Sequence, residues 1–227
     1  MNDQLRWITG ILDSYNIPYW IDAGTLLGVM RDGDVISTDD DIDLAIWNQH
    51  ETHLKNALRT IKNSRYWLRT SSYKQLVCKY ELKPRSNRGK IIEIHVYRAH
   101  GSFAWCPEIY RYNPHRRSTH AFYCYFLYRY GLFGVMAILL RQLWVSSDEA
   151  RLPWRRSAGI GTWIIPRIYF DDLVRDRELN LSMPRNWRSY LTFRYGNWKQ
   201  PVTWREWRYY IDDHGFQRRV PPYVKSK

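Results

Sequence analysis

Carboxylates and aliphatic residues alternate along residues 39–46, and this pattern constrains the fold more than any other part of the chain. Successive side chains of a β-strand point to opposite faces, so Asp39, Asp41 and Asp43 would share one face. The interleaved aliphatic residues are typical of a half-buried strand, where an unpaired carboxylate is costly. Acidic side chains on one face repel one another unless a cation lies between them, and hard oxygen ligands favour Mg²⁺ or Mn²⁺. The pattern therefore predicts a strand with a metal-binding face.

A Gly-Thr turn precedes this strand by about fifteen residues. Gly24 and Thr25 follow a short apolar stretch and open a predicted helix, whose first backbone N–H groups would be free to bind a phosphate. Alone, either feature is common in solvated loops and turns. In this order and spacing, a phosphate-binding turn followed by a carboxylate strand indicates an enzyme that transfers a phosphoryl group.

Glu93 is an acidic residue inside a run of aliphatic residues, 91–96, that predicts a strand. Buried acids are rare unless they are paired or bind metal. We interpret Glu93 as a third metal ligand beside Asp41 and Asp43 and as the candidate base for the acceptor's proton; the alternative is an ion pair with an arginine. His95, on the same face, is either a core histidine or a proton shuttle. Arg31 closes the helix after the turn and is a candidate clamp for a donor phosphate, or else an ordinary surface arginine.

Hydrophobic periodicity predicts helix, strand, helix, strand, helix, strand and strand in that order over the first hundred residues. This order implies a small mixed sheet with helices packed on it. Downstream, the pattern predicts a helix over 122–145, a loop over 153–166 and a short helix within 185–195. We therefore predict one integrated domain of the α/β (α+β) class, in which residues 1–100 form the catalytic core. Residues 101–227 form an irregular, aromatic-rich helical extension that packs on the core and binds the acceptor.

The charge of the chain is unevenly distributed. Residues 1–60 hold four Lys/Arg and ten Asp/Glu, a net charge of −6, and the remaining residues hold 31 and 12, a net charge of +19. The basic part, which also contains most of the 12 Trp and 18 Tyr residues, would attract a polyanion or an anionic leaflet. The longest apolar run has eleven residues, against about 20 for a spanning helix, and no leader is evident. We expect a cytoplasmic protein, with peripheral contact at the inner membrane face if the acceptor is lipid-linked.

The cysteines do not predict a disulfide framework. There are three, an odd number, which favours a reducing compartment. Cys106 and Cys124 could in principle form a zinc site with His115 and His120. Their spacing matches no recognised zinc motif, so the sequence leaves that site open.

Two blocks of the sequence resemble the LicD-type phosphotransferases, the family that includes fukutin and fukutin-related protein. The first is WIDAGTLLGVMRDGDVISTDDDIDLAI, residues 20–46. The second is MPRNWRSYLTFRYGNWKQP, residues 183–201, which is similar to the family's closing pattern of Pro, a short helix with Leu, Tyr-Gly, Trp and Pro. Two departures are visible: the third acidic position, commonly Asp, is Glu93, and Thr38 stands where Trp is common.

The resemblance implies a nucleotidyltransferase-like fold and a Mg²⁺- or Mn²⁺-dependent transfer of phosphocholine or an alditol phosphate. The donor would be CDP-activated, such as CDP-choline, and the acceptor a hydroxyl of a cell-surface glycan (lipopolysaccharide, capsule or teichoic acid), with release of CMP. By position, Gly24 and Thr25 would hold the donor phosphates, Asp41 and Asp43 the metal, and Glu93 the third acidic position.

Two other functions compete with this one. The first is a nucleotidyltransferase that transfers a nucleoside monophosphate and releases pyrophosphate. The second is a basic, aromatic module that binds nucleic acid and has no enzymatic activity. The acidic strand opposes the second function because it would repel a phosphate backbone, so we expect no nucleic-acid partner.

Overall fold

The computed structural model describes most of the first 109 residues and a second segment near the C-terminus. The described residues are 1–61, 65–73, 76–86, 89–109 and 160–201. The helix predicted over 122–145 lies outside them. Among the described helices, none has the length and apolar character needed to cross a membrane.

Four α-helices and nine strands make up the described part of the chain. The helices are α1 (Asp3–Ser14), α2 (Ala23–Asp32), α3 (Glu51–Thr60) and α4 (Trp187–Tyr195), with 3₁₀ turns at Asn48–His50 and Arg167–Tyr169. The strands are β1 (Trp20–Ile21), β2 (Asp41–Trp47), β3 (Tyr66–Tyr73), β4 (Leu76–Pro84), β5 (Ile91–His100), β6 (Phe103–Ile109), β7 (Ile160–Pro166), β8 (Leu173–Arg175) and β9 (Ser182–Pro184).

Seven of these strands form one mixed sheet, which confirms the predicted fold class. Five of them lie in the order β1-β2-β5-β4-β3, and β6 and β7 extend the sheet from the end of β5. Only the β2–β5 pair is parallel among the described strands. A parallel pair requires a crossover, and α3, β3 and β4 lie between β2 and β5 in the chain. The sheet thus continues beyond residue 100.

The two faces of the sheet differ in chemistry. In the register of β2 and β5, Ile42 pairs with Ile92 and Asp43 with Glu93, so aliphatic residues cover one face and acids the other. The aliphatic face joins the core cluster that contains the apolar residues of α1 and α3. Each fully buried Leu or Ile contributes about 1.5–3 kcal/mol of transfer free energy. The carboxylates of Asp43 and Glu93 lie on the opposite face, where both side chains are nearly buried.

An aromatic cluster supports the acidic side of the sheet. Trp20 of β1 stacks on Phe170 at 4.9 Å between ring centroids, and both rings contact Tyr97 of β5 and Trp47 at the end of β2. Phe170 in turn meets Tyr190 of α4 edge-on at 5.0 Å. The C-terminal segment is therefore packed on the strands that carry the acids.

Three details differ from the sequence-based prediction. Strand β3 was not predicted, because its sequence has no clear alternation of apolar and polar residues. The loop predicted over 153–166 is wrong in its last part, because residues 160–166 form β7 through backbone pairing with β6. The acidic strand begins at Asp41, not before it, and the carbonyl oxygens of Ile36 and Asp39 accept hydrogen bonds from Lys90 Nζ.

Candidate active site

The Gly-Thr turn and the carboxylate strand are joined directly by hydrogen bonds. The Gly24 N–H donates to Asp43 Oδ2 at 3.2 Å, and the Asp43 N–H donates to Thr25 Oγ1 at 2.7 Å. The Asp22 N–H also donates to the Asp43 carbonyl at 3.1 Å. The N-terminus of α2 therefore lies against the acidic end of β2. The contact observed for Thr25, which is 2% exposed, is with Asp43, and its role in holding phosphate stays a prediction.

Gly24 lies close to the side-chain carboxylates of this strand end. A Cβ atom at this position would lie 2.7 Å from Asp39 Oδ2 and 3.5 Å from Asp43 Oδ2. Ala23, immediately before it, has φ +44°, a left-handed conformation that costs a residue with a Cβ atom about 1–2 kcal/mol. The turn thus combines a tight contact with a strained residue, as is common at binding sites.

The acidic residues form two adjacent groups. Asp43, Glu93 and His95 offer ligand atoms within 4.8 Å of one another, as do Asp39, Asp40 and Asp41. Within the first group, His95 Nε2 lies 3.5 Å from Asp43 Oδ1 and 3.7 Å from Glu93 Oε2. The predicted trio is therefore divided between the two groups: Asp43 and Glu93 lie with His95, and Asp41 lies with Asp39 and Asp40.

Asp41 is nevertheless coupled to the same site. Burial, which is the largest cause, and the negative charges of Asp43, Asp39 and Glu93 together raise the pKa of Asp41 to about 9. Burial and the charge of Asp43 also raise the pKa of Asp39. Crowded carboxylates of this kind shed their protons when a cation binds between them. The donor set consists of carboxylate oxygens and one imidazole, which suits a divalent cation.

A buried lysine, which the sequence analysis did not single out, contacts Glu93. Lys79 of β4 donates from Nζ to Glu93 Oε2 at 2.6 Å, and both residues are less than 10% exposed. The ion pair considered as an alternative for Glu93 is thus present, with a lysine as the partner. The Lys79 ammonium offsets the negative charge of the Glu93 carboxylate, but the charges of the Asp41 and Asp43 carboxylates remain. Alternating charged and apolar residues at 78–82 are a signal that could have identified Lys79.

Arg31 lies apart from the carboxylates. It is in the last turn of α2, about 10 Å from Gly24 along a helix that rises about 1.5 Å per residue. Its guanidinium pairs with the exposed carboxylate of Asp32 at 2.7 Å. The structure does not bring Arg31 to the N-terminus of α2, and its role at the donor phosphate stays a prediction.

A buried polar network connects the two sequence blocks. The carboxylate of Asp22, which is 0% exposed, accepts hydrogen bonds from Tyr97 at 3.0 Å and from Tyr190 of α4. Arg194, one turn further along α4, donates to the Tyr190 hydroxyl at 3.0 Å. The sequence analysis missed this network, although Asp22 lies in the first block and both α4 residues lie in the second.

Of the four residues considered for zinc, Cys106 alone lies in the described part of the chain. Cys106 is buried on β6, with its Sγ 3.5 Å from the Cys78 carbonyl oxygen. His115, His120 and Cys124 lie outside the described residues.

Parts of the chain are similar in sequence to known proteins, and one family model matches it. The chain is 39% identical over 71 residues to an uncharacterized protein of Rickettsia prowazekii, covering 30% of this chain and 26% of that protein. It is 38% identical over 47 residues to human ribitol 5-phosphate transferase FKRP, covering 21% and 10%. Each match thus spans about a quarter or less of the relative's length.

Among solved structures, the lincosamide antibiotic adenylyltransferase LnuA aligns with a TM-score of 0.35 and 17% identity, covering 51% of this chain and 65% of that one. The family model of the LicD/FKTN/FKRP nucleotidyltransferase domain matches residues 16–131, just over half of the chain. That range contains the Gly-Thr turn, the carboxylates of β2 and Glu93. The chain belongs to the LicD/FKTN/FKRP family.

Proposed function

We propose that this protein is a metal-dependent phosphotransferase. It moves a substituted phosphate, phosphocholine or an alditol phosphate, from a CDP-activated donor to a hydroxyl of a cell-surface glycan and releases CMP. One observation carries the proposal: the Gly24 N–H lies 3.2 Å from the Asp43 carboxylate, which puts a helix N-terminus and a carboxylate cluster at one place. FKRP, a ribitol 5-phosphate transferase, belongs to the same family as this chain.

Asp41, Asp43 and Glu93 are the proposed metal ligands, with His95 as an additional candidate from the geometry. The raised pKa of Asp41 supports the assignment, because a cation would relieve the repulsion that raises it. A bound Mg²⁺ or Mn²⁺ would supply positive charge to offset that of the donor pyrophosphate.

The reaction is an in-line displacement at the donor phosphorus that carries the alcohol. A bond forms between the acceptor oxygen and this phosphorus as the bond to the CMP oxygen breaks, and CMP takes the electron pair. The acceptor's proton goes to Glu93, whose position is fixed by Lys79. The backbone N–H groups at the start of α2 that Asp43 does not occupy would steady the leaving phosphates, with Gly24 and Thr25 forming the turn that holds them.

The acceptor is proposed to bind along α4. An open cleft of about 420 Å³ lies on the outer side of this helix, lined by Tyr169, Arg188, Ser189, Thr192 and Phe193. The two aromatic rings suit the apolar C–H groups of a sugar ring, and the side-chain hydroxyls and the guanidinium suit the sugar's hydroxyl groups. If the glycan is lipid-linked, the basic C-terminal part of the chain would also dock on an anionic leaflet.

A thermal-shift panel with Mg²⁺ tests the function. We expect a CDP-alcohol, among CDP-choline, CDP-glycerol and CDP-ribitol, to stabilise the protein more than CDP, CTP or UTP. At 100 times its dissociation constant, a ligand adds about 2.7 kcal/mol of stability. The matched control is the Asp41→Asn/Asp43→Asn variant, in which this shift should be lost. A larger shift with CTP or UTP would favour nucleoside monophosphate transfer, and no shift with any nucleotide would contradict the proposal.

A further inference from the structure

We propose that Tyr190 and Arg194 of α4 are positioning residues. They act through Asp22, which fixes both the Gly-Thr turn that would hold the donor and the neighbouring carboxylate that would hold the metal. The inference rests on the function proposed above. It gives the second sequence block a role in positioning the residues of the first block, although Asp22 and Tyr190 are 168 positions apart in the chain.

Asp22 lies at the N-cap position of α2, but its side chain makes no capping hydrogen bond. An aspartate at this position ordinarily accepts a hydrogen bond from an N–H of the first turn. No such bond is present, because Tyr97 binds Oδ2 and Tyr190 binds Oδ1. The two tyrosines thus hold the carboxylate away from the N–H groups that a phosphate would use.

The link from Asp22 to the acidic site is short. The Asp22 N–H is bonded to the Asp43 carbonyl, and two residues later the Gly24 N–H is bonded to the Asp43 carboxylate. Ala23, between these two anchors, is the residue with φ +44°. A strained residue persists only where its surroundings fix it, so movement of Asp22 would be passed to Gly24 and Asp43.

Arg194 holds the network at its other end. It is 7% exposed, and its guanidinium fixes the Tyr190 hydroxyl that reaches Asp22. Tyr190 and Arg194 are one helical turn apart, so both point from the same face of α4 into the core. Loss of the Tyr190 hydroxyl would free Asp22 Oδ1 to turn towards α2 and act as an ordinary cap.

The test is Mn²⁺ affinity, measured by the electron paramagnetic resonance of free Mn²⁺ at a temperature where every variant is folded. We expect Tyr190→Phe to weaken Mn²⁺ binding about 10-fold, the loss typical when a residue that orients a metal ligand is removed. The matched control is Tyr80→Phe, which removes a tyrosine–carboxylate bond of 3.0 Å to Glu51 on the opposite face of the sheet. It should lower the melting temperature and leave the Mn²⁺ affinity unchanged.

Equal Mn²⁺ affinity for wild type and Tyr190→Phe, or tighter binding by the variant, would overturn the inference and leave the proposed function standing. Failure of the wild type itself to bind Mn²⁺ at millimolar concentration would overturn both. If Tyr190→Phe does not fold, Arg194→Lys is measured in its place. This change keeps the buried positive charge, but an ammonium group cannot reproduce the guanidinium hydrogen bond to the Tyr190 hydroxyl. The same 10-fold loss of Mn²⁺ affinity is therefore expected.

Discussion

Replacing Asp41 and Asp43 together with asparagine is expected to abolish transfer and, in the absence of metal, to make the protein more stable. Without these two carboxylates the metal would no longer be held, and its charge stabilisation of the donor phosphates would be lost. A loss of about 4 kcal/mol corresponds to a fall in transfer of about 1,000-fold, and we expect at least that. The metal-free variant should gain about 0.5–2 kcal/mol of unfolding free energy, because the variant removes the repulsion among buried carboxylates. Turnover and urea unfolding without metal measure the two effects.

The gain in stability should depend on pH in a defined direction. The pKa of Asp41 is about 9 in the folded protein and about 3.9 in an unfolded chain, so the folded state binds more protons between these values. The stabilising effect of the protonated carboxyl is complete below pH 4 and is lost as the pH rises to 9. The advantage of the double variant over wild type should therefore grow between pH 5 and pH 9.

An exposed carboxylate provides the control for this experiment. Asp171→Asn removes an acid that is paired with Arg167 at the surface, and it should change neither turnover nor the pH dependence. If the double variant were less stable than wild type without metal at every pH, the carboxylates would not be in the repulsive arrangement described here.

Gly28→Ala is expected to destabilise the protein by overpacking the contact between α2 and the segment that follows it. Gly28 lies in α2, and a Cβ atom there would lie 2.7 Å from both the Asp34 carbonyl oxygen and the Ile36 nitrogen. These are backbone atoms, so relief requires a shift of the segment that leads to the carboxylates. The expected cost is about 1–3 kcal/mol, typical of overpacking, measured by urea unfolding.

Gly10→Ala is the matched control, because it makes the same change in the neighbouring helix α1. No atom lies within 4 Å of a Cβ atom built there, so the higher helix propensity of alanine should add about 0.4–1 kcal/mol. Equal effects of the two substitutions would show that α2 does not pack on residues 34–36 as described.

The sequence could predict the elements whose signal is local. The caps and apolar spacing of α1, the alternation in β2 and β5, and the Pro184 that precedes α4 are all visible in a few consecutive residues. The acids of these two strands were predicted to lie together, but the parallel pairing of β2 with β5, which places Asp43 opposite Glu93, was not predicted. The edge strands β3 and β7 were not predicted, because their positions are set by pairing with β4 and β6.

The residues of the candidate site could be identified from the sequence in part, for the same reason. Asp41, Asp43 and Glu93 are conspicuous because each is an acid beside aliphatic residues. Lys79 lies in a visible alternation of charged and apolar residues, but its contact with Glu93 is not visible in that stretch. Asp22 and Tyr190 acquire their proposed roles only from a contact between distant segments, which no single stretch of sequence reveals. Arg31 was singled out from its place after the turn, but the length of α2 separates it from Gly24.

The most direct test of the proposed reaction is the identity of the released product. The protein is incubated with Mg²⁺, each CDP-alcohol and a glycan preparation that contains free hydroxyls, and phosphorus NMR follows the products. We predict CMP together with a new phosphodiester on the glycan, both absent with the Asp41→Asn/Asp43→Asn variant. Release of pyrophosphate from CTP or another nucleoside triphosphate, with no CMP from any CDP-alcohol, would contradict the proposed reaction and establish nucleoside monophosphate transfer in its place.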